Sequence, residues 1–395
     1  MKIEQIHIRN FRAFRKVTFK DLPSFCVLLG PNGSGKSTFF DVIGFLKDSL
    51  QHNVRQALQK RGGFKEVVTR GHGGEAILIE IKFRMPIGGK ERLVTYHLQI
   101  GYDSELNRPE VTREILRYKR GRNGKPYHFL EFAKGSGYAV TNEEDFDKEE
   151  EALEREWEQL EAPDILAIKG VGQFQRFKAA SAFRQLIESW HVSNFHINDA
   201  RGSKDAGVAE HLSTTGDNLQ LVAQHIYDNH PDVFSRILGK MRERVPGIKN
   251  VEATDTPDGR IVLKFQDGSF ADPFVDRYVS DGTIKMFAYL VLLYDPKPHP
   301  LLCVEEPENQ LYPMLLGELA EEFEEYARRG GQVFVTTHSP DFLNAVPLAS
   351  IFWLEKNEGV TTVFKAGEIE QLVKLVEEGD LPGYLWKEGL FRTDI

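Results

Sequence analysis

The run Gly30-Pro31-Asn32-Gly33-Ser34-Gly35-Lys36-Ser37-Thr38 constrains this chain more than any other stretch. It fits G-x-x-x-x-G-K-[ST] and lies between an apolar run, Phe25 to Leu29, and a predicted helix from about Thr38 towards Leu50. Strand, glycine-rich turn and helix in that order make a phosphate cradle. Glycines let backbone N–H groups curl around an anion, and Lys36 can reach the β and γ oxygens. Ser37 offers its hydroxyl to Mg²⁺, and the helix N-terminus adds partial positive charge. The spacing therefore predicts a nucleotide site lined by Asn32, Gly33, Ser34, Gly35, Lys36, Ser37 and Thr38, on an α/β fold with a P-loop core.

The rest of the chain supplies context. At 395 residues it can bury the core of one large domain or two. Apolar runs such as Phe287 to Tyr294 are far too short to span a bilayer, and the opening Met1-Lys2-Ile3-Glu4 has no signal-peptide character, so a cytoplasmic location is expected. Cys26 and Cys303 both fall in predicted buried strands and read as core residues. The net charge of −9 means that any nucleic-acid contact must come from a local basic patch. Strand patterns at Ala76–Phe83, Leu93–Ile100 and Val111–Tyr118 predict an antiparallel meander. The acidic stretch 142–161 carries Leu153, Trp157 and Leu160 at helical spacing and reads as a solvated helix or a partly mobile insertion, with an acidic docking surface for a basic partner as the functional alternative. A largely helical pattern runs from Ala182 to about Gly247, Ile261–Phe265 reads as a strand, and helix alternates with strand from Ser280 to Leu354. The expected organisation is an N-terminal core piece over 1–63, an inserted meander and acidic helical segment over 64–200, the second core piece over 201–360, and a tail over 361–395.

Two strand ends carry candidate chemistry. Leu301-Leu302-Cys303-Val304-Glu305-Glu306-Pro307-Glu308 is an apolar strand running into carboxylates. Glu305, at its edge, is placed to hold Mg²⁺ together with Ser37, and Glu306 to polarise the attacking water as general base. Gln332-Val333-Phe334-Val335-Thr336-Thr337-His338-Ser339 is a second strand, whose His338 is placed to bond a γ-phosphate. Ser280-Asp281-Gly282-Thr283 opens an apolar helix, Met286 to Tyr294, and offers Ser280 and Gly282 as a further anion site.

In this order the motifs resemble ATPases of the ABC type. With Asn10-Phe11-Arg12-Ala13-Phe14 at the start, they are similar to the RecF, structural-maintenance-of-chromosomes (SMC) and OLD group. The runs S-D-G-T, E-E-P-E and T-T-H-S-P look most like compact bacterial RecF-like ATPases of the AAA-15/AAA-21 type. That resemblance, strongest over 1–50 and 275–355, implies a mixed central sheet with an antiparallel meander and a helical insertion. It implies ATP with Mg²⁺, and Arg12 near the nucleotide. It also implies a homodimer with ATP at the interface, Ser280 and Gly282 of one copy closing on the phosphate loop of the other. Three departures stand out: Glu305 where Asp is usual, Asp281 before the signature glycine, and no glutamine in Phe64–Arg70, where a Q-loop would fall. No N-K-x-D motif points to GTP, no nuclease-like carboxylate pair follows His338, and long heptad arms are missing. Two targets stay open. DNA could meet the basic run Arg117 to Lys125, and a separate effector protein could meet the acidic segment; the run reads equally as a solvated hairpin tip.

Overall fold

The computed structural model describes residues 2–87, 89–119, 125–142, 153–195 and 197–391. The chain divides into two compact units. The first comprises 1–23, 30–190 and 352–364, the second 24–29, 191–351 and 365–395.

The first unit contains an antiparallel sheet of eight strands among the described residues. Lys2–Phe11 lies between Phe14–Phe19 and Ile77–Ile87; the meander continues through Lys90–Asp103, Arg108–Tyr118, Tyr127–Ala133, Ser136–Val140 and Arg155–Gln159. The predicted meander is thus present and longer than its sequence pattern suggested. Strict alternation explains why it forms: Ile77, Ile79, Ile81, Phe83, Met85 and Ile87 are buried, and the residues between them are not. Its N-terminal partner brings Phe11, Phe14 and Phe19, all fully buried, against the helix Lys36–Gln51. Phe19 meets Phe39 edge-on at 4.6 Å and Phe11 meets Phe45 at 5.8 Å, contacts that add to the apolar area they bury.

One expectation fails here. Arg155–Gln159, read as helical, is a strand paired with Ser136–Val140. Helical spacing of Leu153, Trp157 and Leu160 gave the wrong period, because Trp157 leans on the Tyr138 ring across the strands at 5.4 Å and is otherwise exposed. A cross-strand pair won over helix propensity. Residues 143–152 of the acidic stretch lie outside the described residues.

The second unit is built on parallel strands. His191–Ser193, Leu301–Glu305, Gln332–Thr336 and Phe25–Leu29 pair in that order. Their near-continuous apolar runs are those of strands covered on both faces, and Cys26 and Cys303 are buried in them as expected. Burial drives the Cys26 thiol far above its ordinary range, so it stays a neutral core side chain. The helices Asp281–Leu293 and Pro313–Arg328 belong to this unit, with Phe323 packing on Phe25 and on Tyr289. The stretch after Ala182 is less helical than predicted: between Lys178–Glu188 and Leu219–Asn229 it holds the short strand His191–Ser193 and an irregular segment. A second, small antiparallel sheet contains Ile248–Asp255 and Arg260–Asp267.

Candidate functional site

In the first unit, the phosphate loop is shaped by one close approach and two glycines at positive φ. Gly35 has φ +110°, and a Cβ there would sit 2.6 Å from the Phe14 ring. Gly33 has φ +78° with open space around it. Only glycine fits these positions without strain. Thr361 donates its hydroxyl to the Ser34 carbonyl at 2.9 Å and pins the loop from the strand Val360–Lys365. Lys36 is buried, and its ammonium bonds the Gly30 carbonyl at 2.9 Å and the Pro31 carbonyl at 3.3 Å. Ser37 is exposed in the first turn of Lys36–Gln51, a turn free of acidic residues, so the helix dipole acts on an incoming anion without local competition. The Ser34 hydroxyl is buried and makes no hydrogen bond in the structure. Glycine cradle, folded-over lysine, unused hydroxyl and open helix end together fit a nucleotide triphosphate.

Arg12 takes a left-handed backbone, φ +47°, donates its N–H to the Val67 carbonyl at 2.6 Å and ion-pairs with Asp41. It lines a cavity of about 500 Å³ with Thr38, Thr69, Arg70, His72 and Lys356. Phe64–Arg70, the segment where a Q-loop would fall, therefore supplies Thr69 and Arg70 to this wall. Asn10 has a different task. Fully buried, it donates to the carbonyls of His72 and Glu75 and accepts from the Thr69 N–H, so it fixes the loop that forms the wall.

In the second unit, register brings the acidic and histidine strand ends to one edge. Glu305 sits opposite Thr336, and Thr336 opposite Leu28, one residue before the end of the strand that precedes the phosphate loop. Glu306 then turns sharply, at φ +43°, with its N–H on the Thr336 carbonyl at 2.9 Å. Its carboxylate takes a hydrogen bond from Asn309 Nδ2 at 3.2 Å and lies 3.3 Å from His338 Nε2. Glu308 accepts from the His338 N–H at 2.6 Å. Glu306 and His338, 32 positions apart, are thus brought together. Asn309 and the bracing role of Glu308 were missed; the E-E-P-E-N turn was their only signal.

Ser280 caps Asp281–Leu293, accepting from the Thr283 N–H at 3.2 Å. Both Ser280 and Asp281 are exposed, and a Cβ at Gly282 would meet nothing closer than 3.5 Å, so this helix end is open. Asp281, the atypical signature residue, is ion-paired to Arg201, whose guanidinium also bonds the carbonyls of Asp276 at 2.7 Å and Val279 at 2.8 Å. Five residues into the helix, buried Lys285 donates to the Asn309 carbonyl. Burial pushes its pKa down to about 8, opposed by the Glu308 carboxylate. Lys285, Asn309, Glu306 and His338 therefore form a continuous polar chain from the signature helix to the acidic turn, which no motif announced.

Of the basic run, residues 120–124 lie outside the described residues, and Arg117 is paired with Glu80 at 3.2 Å. Among the described residues, no helix is long and apolar enough to cross a membrane.

Comparison with known proteins agrees with this architecture. Residues 25–344 match the model of a family described as AAA domain, putative AbiEii toxin, Type IV TA system. A chromosome partition protein Smc of Methanococcus voltae is 33% identical over 81 residues, 20% of this chain and 6% of that protein. Structural maintenance of chromosomes protein 3 of Saccharomyces cerevisiae is 23% identical over 308 residues, covering 66% of this chain and 24% of the yeast protein. The chain thus spans about a quarter or less of these relatives. A solved SMC head bound to the C-terminal winged-helix domain of ScpA superposes with a TM-score of 0.54 at 15% identity, over 92% of this chain and 98% of that one. At that identity the likeness speaks for the fold.

Proposed function

This chain belongs to that AAA-domain family of P-loop ATPases, and on that premise we propose that it binds and hydrolyses ATP with Mg²⁺, and that ATP closes two copies into a dimer. The observation that carries the reading is the Glu306–His338 pair, 3.3 Å apart at the sheet edge from which Glu305 also emerges.

Lys36 transfers its donors from the loop carbonyls to the β and γ oxygens, and the loop amides of 32–38 complete the cradle. Ser37 and Glu305 are the residues that would hold Mg²⁺, which would neutralise charge on the transferring phosphoryl group. Glu306 takes a proton from the attacking water as the new P–O bond forms and the bond to ADP breaks. Asn309 fixes the carboxylate orientation, and His338 bonds the γ-phosphate. Arg12 reaches the nucleotide from the cavity it shares with Thr38. Ser280 and Gly282 meet the phosphates of a second copy. Support for the dimer comes from the open helix end at Ser280 and from Tyr278, Tyr312 and Met314, large apolar side chains left exposed in the same unit. Binding of ATP favours the closed dimer and hydrolysis releases it. The regulated process is DNA-linked, in repair or phage defence; the toxin–antitoxin description of the family supports the defence side.

A second reading keeps the ATP switch but gives it a protein target, an effector held without direct DNA binding. The SMC head solved with a bound ScpA domain supports it. Duplex DNA added to the purified chain separates the two. Stimulated turnover that disappears when Arg120 and Arg122 become Ala supports the DNA reading; turnover indifferent to DNA supports the effector. An absence of ATP hydrolysis under all conditions would overturn both.

A further inference from the structure

At the opposite end of the strand Leu301–Glu305, the second unit gathers a cluster that ATP chemistry does not use. Asp295 follows the end of the signature helix, His299 precedes the strand by two residues, and His211 comes from the irregular segment before Leu219–Asn229. One ligand atom from each lies within 4.8 Å of the others. His211 Nδ1 is 2.7 Å from Asp295 Oδ2, while Asp295 Oδ1 accepts from the Lys297 N–H at 2.8 Å. The His299 ring is 5.2 Å from that of His211 and 4.9 Å from that of buried His191, which pairs opposite Leu302.

We propose that His211, Asp295 and His299 form a binding site for a divalent transition-metal ion, zinc above all. A single His–Asp hydrogen bond needs one imidazole; here His299 brings a second ring, with one of its ligand atoms within 4.8 Å of both His211 and the buried carboxylate. Lys297, the cation next in sequence, gives its ammonium to Glu210 instead. Two imidazole nitrogens and one carboxylate oxygen make a borderline donor set that suits zinc, cobalt or iron and not magnesium or calcium. A tetrahedral zinc ion with bonds of about 2.0–2.1 Å keeps its ligand atoms about 3.3 Å apart. His211 Nδ1 and Asp295 Oδ2, now 2.7 Å apart, open slightly to reach that value, and with every ligand atom within 4.8 Å of the others the ion enters with side-chain movements on the order of 1 Å. His211, 40% exposed, leaves a way in and room for a water as fourth ligand. The ring of His191 supports that of His299. Such an ion clamps the exit of the signature helix to the entry of the acidic strand, a structural role at the edge away from Glu305.

The test uses the full chain, stripped with chelator and free of nucleotide, titrated with Zn²⁺, Co²⁺ and Mg²⁺. The site requires one zinc equivalent per chain, a melting temperature raised by several degrees, and visible Co²⁺ bands of low-symmetry coordination. Mg²⁺ leaves the melting temperature unchanged. Because His299 is partly buried, the decisive variant is His211→Asn on the exposed side. It keeps the circular dichroism of the parent and weakens zinc binding at least about tenfold. Absence of the zinc equivalent in the parent, or equal binding and equal Co²⁺ bands in His211→Asn, would overturn the assignment.

Discussion

Replacing Glu306 by Gln isolates the step at which water is activated. Glutamine has nearly the same shape, and the local contacts dictate how it sits. Asn309 Nδ2 donates to one carboxylate oxygen at 3.2 Å, so the new amide must turn its oxygen there and its NH₂ towards His338, whose neutral ring can accept. The turn at φ +43° and its backbone bond to Thr336 are untouched, and the side chain is 37% exposed, so stability should move by less than about 0.5 kcal/mol. What disappears is the proton acceptor. General base catalysis contributes about 10²- to 10⁴-fold, on the order of 3–5 kcal/mol of barrier. The variant should therefore bind ATP as tightly as the parent, turn over at least about 100-fold more slowly, and accumulate as an ATP-bound dimer. Steady-state phosphate release gives the rate, and light scattering coupled to gel filtration with ATP gives the mass. Turnover within about threefold of the parent would refute the role of Glu306, whatever the dimer does.

Four further outcomes follow from the same geometry. Lys285→Met cuts the chain to Asn309, and should lower kcat while leaving the KM for ATP within about twofold; a pure KM effect would sever the signature helix from catalysis. Arg12→Ala removes a charge-assisted contact worth about 1.5–3 kcal/mol and should weaken ATP binding roughly 10- to 100-fold by calorimetry; unchanged affinity would leave Arg12 as a partner of Asp41 alone. Gly35→Ala places a methyl group 2.6 Å from the Phe14 ring at φ +110°, and should destabilise by roughly 2–4 kcal/mol in urea unfolding, with a shift below 0.5 kcal/mol contradicting it. Buried Glu114 accepts from the N–H groups of Ala167 and Ile168 and from the Tyr96 hydroxyl, yet burial raises its pKa to about 7. The folded chain then binds more protons than the unfolded one between about pH 4.5 and 7, so this group makes stability fall as pH rises through that window. Glu114→Gln should flatten that limb of the urea midpoint against pH, and an unaltered slope would refute the assignment.

The residues that read most plainly in the sequence are those whose chemistry is local. The phosphate loop needs only consecutive glycines, a lysine and a helix start, and its context on either side was legible because Phe25–Leu29 is uninterruptedly apolar. The meander strands were legible wherever alternation was strict, as in Ile77–Ile87. Arg155–Gln159 was not, since the exposed tryptophan that anchors it finds its partner on another strand. Lys285 read as one more residue of an apolar helix, and Asn309 as a turn residue.

By itself, then, the sequence determined the nucleotide chemistry, the α/β class and the carboxylates and histidine on offer, because each is written in neighbouring residues with a fixed period. Only the tertiary structure decided which of them meet. Parallel register sets Glu305 opposite Thr336 and lets Glu306 touch His338. Burial turns Lys285 into a link rather than a surface charge, and the ends of a helix and a strand bring His211, Asp295 and His299 to one point. Such meetings depend on how sheets and helices pack, and that distance in space has no period along the chain.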